Sequence, residues 1–364
     1  MKKIKIIYIV SNLRRTGPVN QLLYILRGLD RNKVEPIVIT LSAEPSESRI
    51  QDYIHYGIKV ESLNLSRFKG VFLANKYVAR CIDKYCPDII QTQGIRADAI
   101  ISNLDSNIPW VTTSRNFPIE DYPSKFGWLK GTIMAKKHLK YLSRCTNLVS
   151  CSKAIELKLK SVNIPSFVIS NGVEVDLGLL SESGFAVQNK LTFITVGSLI
   201  ERKNMFFLID MFNKCDGAMP DYEFLILGDG PLRGDLELKS NKKMKFLGDV
   251  NNVKEYLLNS DIFFSSSLSE GLPNTVLEAI SCGVPVVLSD ISPHKEIASQ
   301  LSNRFYHIFS LEEGNEKLAN ELITIVDKFS LVDKQQLISE TQSAFSALEM
   351  SGKYQMLYEG ITNV

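Results

Sequence analysis

The sequence has 364 residues, and at about 150 residues per domain this length favours two domains. Hydrophobic residues make up 45% and charged residues 23%, the balance of an ordinary globular protein rather than a collagen-like or disordered one. A net charge of +2 argues against nucleic-acid binding through bulk charge, and no apolar run reaches the ~20 residues of a helical membrane span.

Neither the cysteines nor the start of the chain predicts export. Six cysteines are scattered without a Cys-x-x-Cys spacing, which is typical of reduced thiols rather than of a disulfide framework. The apolar run from Ile6 to Val10 is too short for a signal peptide and is followed by Arg14 and Arg15. We expect this run to be the first buried strand and the protein to be cytoplasmic.

Short β-branched apolar runs alternate with segments of helical spacing along the chain. Near-continuous hydrophobicity predicts strands covered on both faces, and strands that alternate with helices predict parallel sheets. Twelve strands are expected, at residues 4–10, 34–40, 58–63, 88–92, 110–113, 148–151, 167–169, 191–196, 223–227, 245–247, 261–265 and 284–289. Twelve strands are too many for one parallel sheet, so we predict two doubly wound domains of the α/β class.

A segment poor in large apolar residues separates the two halves. Residues 171–190 contain Asn171-Gly172 and two further glycines. We therefore predict an N-terminal domain over 1–172, a linker over 173–190 and a second domain over 191–335. The last segment, 336–364, has apolar residues at helical spacing. It is predicted to be one long helix that returns to the N-terminal domain.

Three strand-to-helix turns of the second half are candidates for chemistry, because ligands of open α/β sheets lie beyond the carboxyl ends of the strands. In the first turn, Arg202 and Lys203 precede a helix for which Asn204 is the predicted N-cap. The helix dipole disfavours cations at this end. The two cations are therefore either solvated surface charges or ligands of an external anion.

The second turn is Gly228-Asp229-Gly230, followed by a helix. It resembles a dinucleotide-binding fingerprint, but Arg233 occupies the place of the third glycine. A tight structural turn is therefore as good an interpretation as a ligand contact.

The third turn carries two glutamates that are separated by seven residues. A helix is predicted to begin near Asn274 and to end before Gly283. Glu270 on the loop and Glu278 in the first helical turns can then lie on one ligand-facing side. The structural alternatives are a solvated Glu270 and a capping box made by Thr275 and Glu278.

Together the three turns resemble glycosyltransferase family 4, whose members are retaining sugar transferases of GT-B fold. The two glutamates match the E-x7-E motif of that family, and residues 283–287 resemble the stretch that follows it. Asn171-Gly172-Val173 and the terminal helix extend the resemblance. It implies two Rossmann-like, doubly wound parallel-sheet domains that face a cleft. The resemblance makes 1–172 the acceptor-side domain and 191–335 the nucleotide-sugar donor-binding domain.

The resemblance also assigns roles to residues. Arg202 and Lys203 would hold the diphosphate of a nucleotide-sugar donor, and Glu278 would bind its ribose. Glu270 would contact the donor sugar, and with the two cations it completes the predicted catalytic set. Further donor contacts are implied for Gly17, Ser198, Gly271, Leu272, Pro273, Asn274 and Thr275.

The implied reaction is a hexosyltransferase-like transfer from a UDP- or GDP-linked sugar to a glycan or lipid-linked acceptor. The two cations and a helix N-terminus would stabilise the departing diphosphate. The sequence has no Asp-x-Asp and no histidines at ligand spacing, so neither a metal nor another cofactor is expected. The resemblance places such an enzyme in surface-polysaccharide or glycolipid assembly, at the inner face of the membrane where the acceptor is lipid-linked.

Three positions depart from the family pattern. Gly17 stands alone where many members have a glycine pair, and Ser292-Pro293 replaces glycines after the last strand. Arg115 and Asn116 stand in place of a common histidine, and either residue can contact donor or acceptor. Two alternatives stay open: a non-hydrolysing nucleotide-sugar epimerase of GT-B fold, and a non-catalytic sugar-nucleotide-binding partner.

Residues 124–144 contain six basic and no acidic residues, interleaved with apolar ones. This pattern predicts an amphipathic helix that rests on anionic lipid, which would make the protein a peripheral membrane protein. The alternative is a packed helix with a solvated basic face.

Overall fold

The computed structural model describes residues 2–104, 106–176, 178, 190–215, 217, 219 and 221–363, with the backbone alone for 67–72. The chain forms two compact units. The first consists of Met1–Gly172 together with Ala347–Val364, and the second of Val173–Ser346. Most of the predicted linker, namely residue 177 and residues 179–189, lies outside the described residues.

Strands and helices alternate through the first half of the chain. The strands are β1 (Ile4–Val10), β2 (Val34–Thr40), β3 (Lys59–Ser62), β4 (Ile89–Thr92), β5 (Trp110–Ser114), β6 (Asn147–Ser150) and β7 (Phe167–Val168). The helices are α1 (Gly17–Gly28), α2 (Ile50–His55), α3 (Arg67–Tyr85), α4 (Ile95–Ser102), α5 (Pro118–Phe126), α6 (Trp128–Leu142) and α7 (Lys153–Lys160).

The same alternation continues in the second half. The strands are β8 (Leu191–Val196), β9 (Tyr222–Leu227), β10 (Met244–Gly248), β11 (Ile262–Ser265), β12 (Val286–Ser289) and β13 (Tyr306–Phe309). The helices are α8 (Met205–Lys214), α9 (Arg233–Lys239), α10 (Val253–Leu258), α11 (Asn274–Ser281), α12 (Ser292–Ala298), α13 (Gly314–Ser330), α14 (Lys334–Phe345) and α15 (Ala347–Thr362).

The first unit is built on a parallel sheet with the strand order β3-β2-β1-β4-β5-β6-β7. Side chains of the central strand β1 alternate between two buried layers. Ile6 and Tyr8 pack with α1 and α15 on one face, while Ile7 and Ile9 pack with α3 and α4 on the other. Burial on both faces explains the near-continuous hydrophobicity of this strand.

The second unit is built on a parallel sheet with the strand order β10-β9-β8-β11-β12-β13. Aromatic side chains fill one of its faces: the ring centroids of Phe212 and Phe224 are 4.3 Å apart, and that of Phe264 meets Phe193 edge-on at 5.5 Å. These contacts fix α8 against the sheet. The first turn of α8 is thereby held at the carboxyl ends of the strands.

All twelve predicted strands are present, each within two residues of the predicted bounds. Strand β13 was missed because it lies at the sheet edge, where it pairs only with β12. Its residues Tyr306, His307 and Ile308 are only half-buried, so the segment lacks the continuous apolar run of the inner strands.

The prediction of one long C-terminal helix is wrong. The backbone of Ser346 is extended, with φ −59° and ψ 128°, and it separates α14 from α15. Helix α14 packs on α11 in the second unit, whereas α15 packs on α1 in the first. The Ser351 hydroxyl donates to the Ile25 carbonyl at 2.6 Å, and a Cβ at Gly28 would lie 2.6 Å from the Ser351 Cβ. The chain therefore returns to the first unit at Ala347 and not at residue 336.

Candidate functional site

The turns after β9, β8 and β11 are neighbours, because these strands lie side by side in the second sheet. The turn after β8 ends in a short 3-10 helix, Glu201–Lys203, just before α8. The turn after β11 leads into α11, which begins at Asn274 as predicted. Gly283 has a φ of +75°, the left-handed conformation that commonly ends a helix.

Arg202 and Lys203 both turn toward Glu270. The Arg202 Nη1 atom donates to Glu270 Oε2 at 2.7 Å, and the Lys203 Nζ atom donates to Glu270 Oε1 at 2.6 Å. The three side chains are 11%, 13% and 7% exposed, respectively. The alternative of solvated surface charges is therefore wrong for both cations and for the loop carboxylate. This charge cluster of Arg202, Lys203 and Glu270 is partly buried and carries a net positive charge.

The cluster keeps Glu270 ionised. Burial by itself would raise the pKa of this carboxyl group, but the charges and hydrogen bonds of Lys203 and Arg202 outweigh it. The pKa of Glu270 is thereby held well below its usual range. One positive charge remains after the carboxylate is neutralised. Glu270 itself lies on the loop that leads into α11.

The loop after β11 also forms hydrogen bonds with the backbone of the turn that carries the two cations. Asn204 occupies the N-cap position of α8, as predicted, but its φ is +51° and its side chain makes no capping bond. Its carbonyl instead accepts a bond from the Ser266 hydroxyl at 2.9 Å. The Leu268 amide donates to the Arg202 carbonyl at 2.8 Å. These bonds keep the turn pointing toward Glu270.

Glu278 lies on α11 and differs from Glu270 in its electrostatics. Burial raises its pKa to about 7, although the charge of Lys203 acts in the opposite direction. The predicted capping box is not formed, because the N-cap of α11 is Pro273 and Thr275 lies inside the helix. The Glu278 carboxylate is therefore not used as a helix cap.

The glycines of the second turn allow a close approach of two backbones. A Cβ at Gly228 would lie 2.1 Å from the Gly197 carbonyl oxygen, and a Cβ at Gly230 would lie 2.4 Å from that of Leu199. The Leu199 amide also donates to the Asp229 carbonyl at 2.9 Å. These two glycines thus serve the packing of the second turn on the first.

A buried histidine, which sequence analysis did not select, lies behind Glu270. His294 is fully buried, with Nδ1 2.9 Å from the Ser289 carbonyl and Nε2 3.2 Å from the Ser265 hydroxyl. Burial lowers its pKa to about 4, so the ring is neutral and Nδ1 carries the proton. The Ser267 hydroxyl donates to Glu270 at 2.8 Å, and its carbonyl accepts from Ser289 at 2.6 Å.

These bonds support the Glu270 loop from two strand ends and from α12. The signal in the sequence was a serine at the end of each of two buried strands and a histidine in the first turn of the next helix. The pair Ser292-Pro293, where the resemblance leads one to expect glycines, begins the helix that carries this histidine.

The structure brings Arg202, Lys203 and Glu270 together in the second unit, and Glu278 lies on α11, the helix that follows the Glu270 loop. The remaining predicted donor contacts of this unit lie on the same turns, with Ser198 exposed, Gly271, Leu272 and Pro273 buried, and Asn274 and Thr275 half-buried. Gly17, Arg115 and Asn116 belong to the first unit. There Gly17 begins α1, and Arg115 and Asn116 follow β5, where the Ser114 hydroxyl donates to the Asn116 carbonyl at 2.9 Å.

Two family models match the chain, one in each half. The model of Glycosyltransferase Family 4 matches residues 15–177, and the model of Glycosyl transferases group 1 matches residues 190–328. The chain belongs to glycosyltransferase family 4. This membership, predicted from the three turns, is confirmed, and the second matched range contains the whole charge cluster.

Two relatives and one solved structure extend the comparison. The O-antigen biosynthesis glycosyltransferase WclY of Escherichia coli is 24% identical over 382 residues, which span 98% of this chain and 98% of WclY. The UDP-Gal:alpha-D-GlcNAc-diphosphoundecaprenol alpha-1,3-galactosyltransferase of Escherichia coli is 27% identical over 208 residues, 51% of this chain and 53% of that protein. The crystal structure of Anabaena HepE in complex with UDP has a TM-score of 0.78 at 16% identity, covering 98% of this chain and 100% of that one.

The structural likeness shows the GT-B fold that the sequence predicted, with two Rossmann-like parallel-sheet domains. Within the described ranges, no helix has both the length and the apolar character needed to cross a membrane. The same residues contain no group of three or more His, Cys, Asp or Glu side chains placed to hold a metal ion.

The raised pKa of Glu278 predicts how stability depends on pH. The unfolded chain ionises this residue near pH 4.5 and the folded protein only near pH 7, so ionisation costs the folded state stability as the pH rises between these values. Glu278→Gln stays neutral and should be more stable than the parent above pH 7, by up to about 3 kcal/mol. The difference should close near pH 4.

Thermal unfolding from pH 4 to pH 8 checks this expectation. Glu312→Gln, which changes an exposed carboxylate of the same unit, is the matched control and should track the parent at every pH. If the melting temperatures of Glu278→Gln and the parent differed by the same amount at every pH, the pKa of Glu278 would not be raised in the folded protein.

Proposed function

We propose that the protein is a retaining, metal-independent glycosyltransferase that moves a sugar from a nucleotide-diphosphate sugar to an acceptor hydroxyl. The observation that carries the proposal is the charge cluster, in which two partly buried cations meet Glu270 on the loop that leads into α11 and leave one positive charge. Anions bind readily at such a position, because the first turn of a helix presents backbone N–H groups and a positive dipole end.

The residues of the second unit have distinct roles in this reaction. Arg202 and Lys203 bind the diphosphate, and the Glu278 carboxyl group accepts hydrogen bonds from the ribose hydroxyls. Glu270 accepts a hydrogen bond from the donor sugar while it keeps both cations in place. His294 holds the loop of Glu270 by its bonds to the strand-end serines.

The transfer forms a bond between the acceptor oxygen and the anomeric carbon, and it breaks the bond between that carbon and the diphosphate. The proton of the acceptor hydroxyl passes to the departing diphosphate on the same face of the sugar, so the anomeric configuration is retained. Negative charge grows on the diphosphate as the bond breaks. Preorganised cations act most strongly on such developing charge.

The named relatives support a UDP- or GDP-linked donor and a lipid-linked glycan acceptor. HepE was crystallised with UDP, and the galactosyltransferase relative takes its sugar from UDP-Gal and adds it to a diphosphoundecaprenol-linked sugar. WclY acts in O-antigen biosynthesis. We therefore propose that this protein acts in surface-polysaccharide or glycolipid assembly.

Chromatography of the products tests the proposal. Incubation with UDP- and GDP-sugars should release free nucleoside diphosphate only when a diphosphate-linked lipid acceptor is added, and NMR should show the same anomeric configuration in donor and product. Activity should persist in EDTA. Interconversion of sugar nucleotides without an acceptor would identify an epimerase, and binding without turnover would identify a non-catalytic partner. Loss of activity in EDTA that manganese restores would contradict the metal-independent mechanism.

Helices α5 and α6 support membrane association. One side of α6 packs through buried Gly131, Ala135 and His138, whereas Trp128, Leu129 and Ile133 are 78%, 68% and 50% exposed. Five lysines lie in the same segment, at positions 125, 130, 136, 137 and 140. We propose that this basic-apolar surface, comprising Ile119, Phe126, Trp128, Leu129, Ile133 and these lysines, rests on anionic lipid.

Vesicle sedimentation checks this surface. At low salt the protein should sediment with anionic vesicles and stay in solution with neutral ones. Trp128→Ser combined with Leu129→Ser should lower the bound fraction at least about tenfold, because the buried apolar area supplies part of the affinity. Leu238→Ser removes an equally exposed apolar side chain on α9 and should change nothing. Equal sedimentation with both kinds of vesicle would contradict the proposal.

A further inference from the structure

Arg115, in the first unit, has hydrogen-bonding groups that the described residues leave unused. It follows β5 directly, so it lies at the carboxyl end of the parallel sheet, where ligands of this class of sheet bind. Its Nη1 atom donates to the Asn171 side-chain oxygen. Its Nε and Nη2 atoms are buried, and neither has a hydrogen-bond partner in the described part of the chain.

No carboxylate of the described residues lies within ion-pair distance of this guanidinium. The charge of Arg115 is felt instead at the hydroxyls of Tyr53, Tyr354 and Tyr358. Burial raises the pKa of each of these tyrosines, so all three are neutral and none of them balances the charge. The Arg115 charge thus has no counterion among the residues that the structure describes.

The guanidinium is nevertheless held in place. The Arg115 carbonyl accepts a bond from the Cys151 thiol at 3.3 Å. Asn171, its side-chain partner, precedes Gly172, whose amide and carbonyl both bond to Gln21 on α1, at 3.1 and 2.6 Å. A fixed side chain with buried, unsatisfied donors is costly unless a ligand completes it, because each such donor costs about 1–3 kcal/mol.

Two planar N–H donors with a positive charge match a phosphoryl group, which accepts two parallel bonds from a guanidinium. In the proposed function, the donor diphosphate binds to Arg202 and Lys203 of the second unit. A phosphoryl-binding site at Arg115 would therefore serve a second anion, different from the donor diphosphate. Pro118 begins α5 only three residues after Arg115, and α5 and α6 carry the basic-apolar surface. The site is therefore close in the chain to the surface proposed to meet lipid.

We infer that Arg115, with Asn171, binds a phosphoryl group of the acceptor, so that the acceptor is a phosphate-bearing molecule. This inference rests on the proposed transferase function and names the substrate class of its acceptor. The guanidinium holds the acceptor and takes no part in breaking the donor bond. Its removal should weaken acceptor binding and leave donor binding intact.

A binding measurement isolates the site. Saturating UDP fills the donor site, and inorganic pyrophosphate is then titrated and followed by 31P NMR. Arg115→Gln should weaken pyrophosphate binding at least tenfold, and Arg80→Gln, a change at an exposed arginine of the same unit, should leave it unchanged. Equal pyrophosphate affinity in Arg115→Gln and parent would overturn the inference. A failure of UDP to bind would instead count against the proposed function.

Kinetics with two acceptors that carry the same sugar separate the possible sources of the phosphoryl group. With a diphosphate-linked lipid, Arg115→Gln should raise the acceptor KM at least tenfold, and Arg115→Lys should restore part of the loss. With an uncharged alkyl glycoside, the same variants should match the parent. A rise in donor KM with an unchanged acceptor KM would assign the phosphoryl group to the donor and overturn the inference.

Discussion

Replacement of Lys203 or Arg202 by Ala is expected to lower kcat by about 10²–10³-fold, the loss seen when one preorganised donor to a developing anion is removed. The donor KM should change much less, because the diphosphate gains its charge as the sugar departs and the contact strengthens in the transition state. Steady-state kinetics with varied donor concentration measure both constants.

A matched control separates this effect from a general loss of charge. Lys214 makes an exposed ion pair with Glu316 in the same unit, and Lys214→Ala should leave kcat unchanged. Arg202→Lys keeps the charge but loses the planar guanidinium, which bonds both Glu270 and the Ser269 carbonyl. It should therefore be intermediate. Full turnover in both alanine variants would remove the catalytic role of the cluster.

Glu270→Gln is expected to lower the free energy of unfolding by about 3–5 kcal/mol, the cost of breaking a buried ion pair from one side. The change leaves Arg202 and Lys203 close together without their shared carboxylate. Because the pKa of Glu270 is depressed, its contribution is present above about pH 4.5 and is lost as the pH falls through the folded pKa. Denaturant unfolding at pH 7 and in acid should show a difference that shrinks in acid.

The exposed carboxylate of Glu316, whose side chain is 78% exposed, provides the comparison. Glu316→Gln should change stability by no more than about 1 kcal/mol, as for other surface ion pairs. UDP should raise the melting temperature of Glu270→Gln more than that of the parent, because the site without its carboxylate holds one more unbalanced positive charge. A Glu270→Gln variant as stable as the parent at pH 7 would show that the two cations do not depend on this carboxylate.

The fold could be predicted to a large extent because each buried parallel strand is recognisable from a short stretch of the sequence. Each inner strand is covered on both faces, which produces a short unbroken apolar run such as that of β1 or β8. Strand β13 lacks such an apolar run because it lies at the edge of the sheet, pairs only with β12 and is only half-buried over its first three residues. The break at Ser346 could not be recognised in the sequence either, because α14 and α15 both have apolar residues at helical spacing. Their separation depends on which unit each helix packs against.

The amino-acid sequence alone determined the family, twelve of the strands in their order and the choice of four charged residues in the second unit, because motif spacing and hydrophobic periodicity are properties of neighbouring residues. Tertiary structure decided which charges meet. It paired both cations with Glu270, left Glu278 with a raised pKa and placed His294 behind the loop. Those outcomes depend on distances between separate strands and on burial from water, and neither quantity is set until the sheet has packed.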